Sequence, residues 1–219
     1  VSQPPGVTFT NVGTIDIQGD DYWGTSGSGA VLDNQGTINK SAGNITYIDS
    51  VFQNSGSVDV SAGTLQMRAS TTTTGSFTST GSGVVNFVSG THNLLAPSTV
   101  TGQNVSFTGS GNSTISGTYT PVNSTFNSNI YLNNGARTLQ NITLQGRTMN
   151  GDSDLTISNQ LTWTGGTIQR TGLTTLGAGA TWTIGGANKN LSSDFRNEGA
   201  VTWLSGGVGL DPGVTFTNA

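Results

Sequence analysis

The sequence predicts an all-β chain that folds as a parallel β-helix, or β-solenoid, with roughly 10 turns of about 20 residues each. Corner motifs recur at a nearly constant spacing, and the short stretches between them alternate polar and apolar residues. No stretch places apolar residues at helical spacing over several turns, and glycine is frequent along the chain. Each repeat of a solenoid buries its apolar side only by stacking on its neighbours, so residues about 20 positions apart should be in contact.

The first recurring element is a corner motif that reads large apolar, any residue, Asn, any residue, Gly, small residue, then Ile or Val. It occurs at residues 9–17, 32–40, 52–60 and 195–203. Asn and Gly tolerate the left-handed region of backbone conformation, so we predict a sharp turn between two strands at each Asn-x-Gly. A second element, Ser-Ala-Gly followed by Asn-Ile or Thr-Leu, begins at Ser41 and again at Ser61, in phase with the corners.

The stretches between the corners are predicted strands. Residues 14–17 and 57–60 read Thr-Ile-Asp-Ile and Ser-Val-Asp-Val. A period of two is typical of strands that have one buried face. The threonine run at 71–74 lacks this alternation and is predicted to be a loop or an outward bulge.

The domain organisation follows from where the motif keeps its spacing. We predict one solenoid over residues 1–219, with regular turns over 1–70 and 155–219. Over 71–154 the strand-like texture persists but the spacing is lost, which predicts irregular turns. The sequence begins at Val1 with neither Met nor a signal peptide, so we expect a mature, trimmed or partial chain.

Composition argues against several classes of partner. Charged residues make up 8% of the chain, the net charge is −4, and the seven Lys and Arg residues are scattered. Nucleic acids and anionic lipid surfaces need a clustered basic face, so neither is expected to bind. No apolar run approaches the roughly 18 residues of a membrane-spanning helix, so no membrane insertion is expected. The chain has no cysteine, which excludes a disulfide framework and thiol chemistry.

The two ends of the chain carry the same heptapeptide. Pro-Gly-Val-Thr-Phe-Thr-Asn occurs at 5–11 and returns at 212–218. Exposed ends of a β-helix leave unpaired strand edges and an open core, which proteins normally cover. We therefore predict head-to-tail contact with another copy of the chain or with adjoining repeats. The residues predicted to make this end-to-end contact are Val7, Phe9, Val214 and Phe216.

A possible ligand site combines two carboxylates with two aromatic rings at Asp20, Asp21, Tyr22 and Trp23. Such a set could hold a sugar or a cation. A solvated loop whose aromatic rings cover the edge of a turn explains the same residues and is favoured.

Three tryptophans, Trp163, Trp182 and Trp203, are 19 and 21 residues apart, which predicts a column with one ring in each turn. An exposed column could stack on sugar rings. Each Trp nevertheless shares strand parity with Leu161, Ala180 or Val201 two residues earlier, so an inward or corner stack is favoured.

No residue set indicates an enzyme, a metal site or a cofactor. The stretch 150–154, Asn-Gly-Asp-Ser-Asp, resembles the start of a calcium loop, but the remaining ligands of such a loop are missing. The single histidine, His92, has no nucleophile motif around it and is expected to be solvated. Glycosidase chemistry needs a pair of neighbouring carboxyl groups, and the chain has one glutamate, Glu198, inside a corner.

The corner motif, the Ser-Ala-Gly element and the Trp-x-x-Gly-Gly variants together resemble the tandem repeats of very large bacterial surface and secreted proteins. The similarity is to adhesins of the filamentous-haemagglutinin type and to pectin-lyase-like β-helices, and it covers about residues 1–70 and 155–219. The resemblance implies a right-handed parallel β-helix, located outside the cell or at its surface, that serves as a stalk, fibre or adhesive surface. It transfers no catalytic residue.

These observations predict an extracellular structural or adhesive β-solenoid, either a filament subunit or a slice of a longer repeat array, whose partner is itself. The alternative is a carbohydrate-binding or carbohydrate-cleaving β-helix with surface glycans as partners.

Overall fold

The structure, a computed structural model, describes residues 1–24 and 29–219. The chain is all-β, with parallel strands stacked as a β-solenoid of about 11 turns of roughly 19 residues, which confirms the predicted fold class with slightly shorter turns. No described residue is helical, so this part of the chain contains no helix able to cross a membrane. Two compact units are present, Val1–Pro121 and Val122–Ala219.

The first unit is built from three columns of parallel strands, and each turn contributes one strand to each column. The strands are β1 (Thr8–Asn11), β2 (Thr14–Ile17), β3 (Tyr22–Trp23), β4 (Val31–Asn34), β5 (Thr37–Lys40), β6 (Ile45–Ile48), β7 (Val51–Asn54), β8 (Ser57–Val60), β9 (Thr64–Met67), β10 (Thr71–Thr73), β11 (Ser76–Phe87), β12 (Thr91–Leu94), β13 (Thr99–Ile115) and the start of β14 (Thr118–Leu132). Thr8 lies beside Val31 and Val31 beside Val51, so these turns are 23 and 20 residues long.

The second unit repeats the arrangement. After β14, its strands are β15 (Arg137–Leu144), β16 (Thr148–Gly151), β17 (Leu155–Trp163), β18 (Gly166–Arg170), β19 (Thr174–Leu176), β20 (Thr181–Ile184), β21 (Lys189–Leu191), β22 (Phe195–Asn197), β23 (Ala200–Trp203), β24 (Val208–Leu210) and β25 (Phe216–Asn218). The columns of this unit end in β23, β24 and β25, which pair with β20, β21 and β22 respectively.

Side chains alternate between core and surface along the strands, as the period of two predicts. In β8, Val58 and Val60 are buried while Asp59 is exposed. Rings from successive turns stack inside the solenoid, and those of Phe87 and Phe107 lie 4.7 Å apart and 12° from parallel. Burial of this inner column stabilises the fold by about 25 cal/mol for each Å² of apolar surface removed from water.

The asparagines of successive corners form a hydrogen-bonded ladder. Asn11 Nδ2 donates to Asn34 Oδ1 at 2.7 Å, and Asn34 Nδ2 donates to Asn54 Oδ1 at 2.8 Å. Asn54 Nδ2 continues the ladder to Thr73 Oγ1 at 3.1 Å. The repeat spacing in the sequence therefore corresponds to side chains in direct contact between turns.

The glycine of each corner is required for a different reason from the one predicted. Gly36 and Gly56 do not have positive φ, whereas Gly43 of the Ser-Ala-Gly element does, at 80°. A Cβ on Gly36 would lie 2.1 Å from the carbonyl oxygen of Gly13, and one on Gly56 would lie 2.0 Å from that of Gly36. The corner glycines thus allow one turn to pack directly against the backbone of the preceding turn.

The threonine run predicted as a loop is wrong, because residues 71–73 form β10. Thr71 pairs with Phe52 and Thr73 with Asn54, and both threonine side chains are buried. The β-branched side chain suits a strand, and Thr73 Oγ1 donates to the Asn54 carbonyl at 3.0 Å. Register shifts within the solenoid occur at 79–84 in β11 and at 139–141 in β15.

Candidate functional site at the two end turns

The first turn, formed by β1, β2 and β3, presents core-type positions to solvent. Phe9 is exposed and Ile15 is half-buried. Their register partners one turn later, Leu32 and Ile38, are fully buried. These positions are open because no complete turn among the described residues covers the outer side of the first turn. Only residues 1–3 pair there, with Ser2 beside Gly24 at the end of β3.

The last turn, formed by β23, β24 and β25, has the same property. Four of its exposed apolar residues lie in the strands and are each 39–57% accessible: Val201, Trp203, Leu210 and Phe216. Their register partners one turn earlier, each at most 2% accessible, are Trp182, Ile184, Leu191 and Phe195. The exposed side chains line an apolar groove of 270 Å³. This turn therefore ends the solenoid with an uncovered section of its core.

The residues predicted for end-to-end contact lie in these two turns. Val7, Phe9 and Phe216 are exposed, and Val214 is half-buried. Their accessibility is compatible with the predicted contact, and the contact itself stays a prediction.

The asparagine ladder gives the ends a direction. Asn197 Nδ2 donates to Asn218 Oδ1 at 2.7 Å, the same sense as the bond from Asn11 to Asn34. The amide NH₂ of each corner asparagine therefore points to the following turn, and its oxygen points to the preceding one. One end turn offers a donor and the other an acceptor, so the two ends are complementary in polarity.

The two aspartates of the predicted ligand site accept backbone hydrogen bonds. Asp20 accepts hydrogen bonds from the backbone N–H of Asn44 and from its Nδ2, the latter at 3.0 Å. Asp21 Oδ1 accepts from the Tyr22 N–H at 2.7 Å. Both carboxylates thus have hydrogen-bond partners within the protein.

The two aromatic residues of that site point in different directions. Trp23 is buried in β3, its Nε1 donates to Gln3 Oε1 at 3.3 Å, and its ring meets Phe9 edge-on at 4.8 Å. Tyr22 is exposed on the same two-residue strand. The structure therefore does not bring the two rings together on one surface.

Two of the three tryptophans predicted to form a column are buried, and the three are not all in register with one another. Trp163 pairs with Ile184, whereas Trp182 pairs with Leu161, two residues earlier along the strand. The two indoles still stack, with ring centres 5.9 Å apart and planes at 19°. Trp203 is exposed because its strand belongs to the last turn. The predicted inward orientation holds for the first two rings.

The calcium-like stretch 150–154 is occupied by a basic side chain. Arg170 Nη1 donates to the Asn150 carbonyl at 2.8 Å, and Nη2 donates to the Ser153 carbonyl at 2.7 Å. Burial lowers the pKa of Arg170 to about 10, which still leaves the guanidinium charged at neutral pH. No group of three or more metal-binding side chains occurs among the described residues.

The expectation for His92 is wrong, because the side chain is buried. It lies in β12 beside Thr71 of β10, and its ring meets Phe87 at 5.2 Å. Neither ring nitrogen makes a hydrogen bond of normal geometry within the protein. Burial lowers the pKa of His92 to about 4, against a smaller opposing effect of the Ser89 backbone. The only sign in the sequence that this side chain is buried is its alignment, at the repeat spacing, with inward-facing positions of earlier turns.

Comparison with protein-family models, with curated proteins and with solved structures finds no match.

Proposed function

We propose that this chain is a structural or adhesive β-solenoid segment, acting outside the cell, whose end turns are covered by further copies or adjoining repeats. The observation that carries the proposal is the distribution of exposed apolar side chains. Of the 12 large apolar side chains exposed among the described residues, 10 belong to the first and last turns. The extracellular location and the adhesive role rest on the resemblance of the repeats to those of bacterial surface proteins.

Burial of the exposed apolar side chains would offset much of the free-energy cost of association between ends. Full burial of one large apolar side chain is worth about 1.5–3 kcal/mol, so covering a half-exposed one is worth on the order of 1 kcal/mol. The two end turns together therefore offer roughly 10 kcal/mol, against an association cost of about 4–15 kcal/mol for separate molecules. We expect modest affinity between separate chains and firm stacking where the copies are linked in one chain.

The first test is a charge placed in the last turn. Trp203→Glu should weaken self-association, because a carboxylate cannot be buried in an apolar end contact without a partner. Sedimentation velocity over a concentration series should show larger species for the unmodified chain and fewer for the variant. Leu95→Glu is the matched control, since Leu95 is 40% exposed, against 57% for Trp203, and lies outside the end turns.

Three outcomes separate the possibilities in that experiment. Loss of the larger species in the Trp203 variant alone supports end-to-end association. Equal loss in both variants would indicate general hydrophobic adhesion of the surface. A strictly monomeric unmodified chain at every concentration would refute association between separate copies.

A carbohydrate-binding role is the second candidate, and one observation favours it. A groove of 280 Å³ beside the first turn is lined by Asp16, Asp21 and Tyr22. Hydrogen bonds from Ser41 and Gln18 lower the pKa of Asp16, so it remains ionised and able to accept hydrogen bonds from sugar hydroxyls.

The glycan role has a direct test. If sugars bind in this groove, Tyr22→Ala should abolish signals on a glycan array, while Tyr131→Ala should leave them unchanged, since both tyrosines are exposed and only Tyr22 lines the groove. An array without signal for the unmodified chain would contradict this candidate and leave the structural one.

A further inference from the structure

The two heptapeptides occupy the same place in a turn. β1 begins the first column of its unit, with Phe9 beside Leu32 of the next turn, and β25 ends a column, with Phe216 beside Phe195 of the turn before. Each heptapeptide leads into a corner asparagine, Asn11 or Asn218, that belongs to the ladder. The last strand of one copy, β25, therefore occupies the same position in a turn as the first strand, β1, of another copy.

A stack of two complete chains would contain one strand too many. β25 already lies on β22, while no described strand lies beyond β23 or β24. The β1 strand of a second copy belongs to the same turn as its β2 and β3. If β1 of the second copy paired with β25 of the first, β2 and β3 of the second copy would lie one turn too far along to pair with β23 and β24. Only one of the two heptapeptides can therefore be used at a junction.

We propose that the partner of the last turn is a second copy of this chain in which the heptapeptide is shared, so that Val12 of the second copy follows Asn218 of the first. The repeat period is then 207 residues, the distance from Pro5 to Pro212. This inference rests on the proposed structural function and specifies its partner and register. For separate chains, β1 of one copy replaces the three-residue strand β25 of another, and residues 1–3, which pair with the end of β3, give way to β24.

The shared heptapeptide sets the contacts of the junction. β2 follows Asn11 with the same spacing as β23 follows Asn197. Ile15 of the second copy therefore lies on Val201 of the first, and Ile17 lies on Trp203. In each pair, the half-buried residue of the first turn meets the exposed residue of the last. The junction covers the core positions that both end turns leave open.

Gly13 is an independent observation that points to the same junction. A Cβ on Gly36, Gly56 or Gly199 would lie 2.0–2.2 Å from a carbonyl oxygen of the preceding turn. A Cβ on Gly13 would meet nothing within 4 Å, and φ at Gly13 is not positive. The single copy therefore has no need of glycine at this corner. In the junction, Gly13 of the second copy lies against the turn that contains Gly199, where the close packing of the other corners requires glycine.

The test uses a two-copy chain in which residues 1–218 are followed by residues 12–219. Trp203 is the only tryptophan of the four that is exposed in the single copy, so its quenching by acrylamide reports whether the last turn is covered. Trp203→Phe in the second copy removes the signal of the free end. We expect the accessible tryptophan fluorescence to fall several-fold relative to the single chain.

Two controls make this experiment specific. Gly13→Ala in the second copy should restore quenching of Trp203, whereas the same substitution in the first copy should not, because a Cβ there meets no atom within 4 Å. A two-copy chain made of 1–219 followed by 1–219 keeps both heptapeptides and should leave Trp203 accessible. Circular dichroism and urea unfolding of the single-copy Gly13→Ala variant check that the substitution does not disturb folding.

The outcomes separate this inference from the proposed function. If Trp203 stays accessible in the first two-copy chain, or if Gly13→Ala acts equally in both copies, the shared register is wrong. If single chains associate but either of these two results is found, end-to-end association stands without this register. If single chains stay monomeric while Trp203 becomes protected, the tandem register stands and association of separate chains is wrong.

Discussion

Replacing Gly36 by alanine is expected to destabilise the first unit by at least about 3 kcal/mol, among the larger effects of a single methyl group. The new Cβ would lie 2.1 Å from the Gly13 oxygen and 2.8–2.9 Å from two further backbone atoms of that turn. Backbone atoms cannot move aside as the end of a flexible side chain can. The turns would have to separate, which breaks the adjacent hydrogen bonds from Gly36 N–H to Asn11 and from Thr37 N–H to Gly13, at 2.9 and 2.8 Å.

The matched control is Gly13→Ala in the single chain. The residue type, the corner motif and the sign of φ are the same, but no atom lies within 4 Å of the new Cβ. Urea unfolding followed by circular dichroism at low protein concentration should show a change of no more than about 0.5 kcal/mol. Equal effects of the two substitutions would mean that corner glycines act through backbone conformation, as the sequence pattern suggested, and not through contact between turns.

Replacing His92 by leucine is expected to stabilise the protein at neutral pH and to remove part of its acid sensitivity. Two ring nitrogens buried without partners cost about 1–3 kcal/mol each when they lose their hydration. The equivalent positions in earlier turns of this column are Leu32 and Phe52, so the surroundings accept an apolar side chain. A higher urea midpoint at pH 7 is the expected result.

The pH dependence follows from the pKa of His92, which burial lowers from 6.5 to about 4. The unfolded chain binds a proton between these values and the folded chain does not. The free energy of unfolding is therefore highest above pH 6.5 and falls as the pH drops towards 4, because protonation of the histidine then favours the unfolded chain. The size of this loss is about 3 kcal/mol.

Unfolding free energies of the unmodified chain and the His92→Leu variant, measured from pH 7 to pH 4, should diverge as the pH falls, because only the unmodified chain loses stability. The variant should be nearly flat over this interval, because the aspartates with lowered pKa values, Asp16, Asp152 and Asp211, lose their contribution only below about pH 4. Parallel curves for the two proteins would show that His92 is hydrated in solution and not buried without partners.

Much of the fold was predictable because a solenoid converts sequence spacing into contact. The spacing of the Asn-x-Gly motif, 20 residues between Asn34 and Asn54, corresponds to one turn, and the amides of these residues are 2.8 Å apart. The alternation in 57–60 correctly predicts which side chains are buried. Both follow from local rules, since backbone period and repeat length do not depend on distant parts of the chain.

The errors arose where register decided the outcome. Thr71 and His92 look polar and solvent-facing in sequence, but parallel pairing with Phe52 and its column places both side chains in the core. Trp163 and Trp182 are one turn apart in sequence, yet a two-residue shift in pairing separates them along the strands. A polar side chain can occupy a buried position when the free energy gained by stacking the whole turn exceeds the free-energy cost of burying one polar group.

The candidate site shows the same division. The repeated heptapeptide alone predicted that the two ends are related and identified Phe9 and Phe216. The sequence could not show that Trp203 is exposed while Trp163 and Trp182 are buried, since all three lie in the same local pattern. That difference depends on whether another turn covers the strand. The sequence by itself determined the repeat length, the corners and the inward faces, because these depend on local periodicity. Only the tertiary structure decided which inward faces lack a neighbour and which glycine has nothing beneath it, because both depend on contacts between turns.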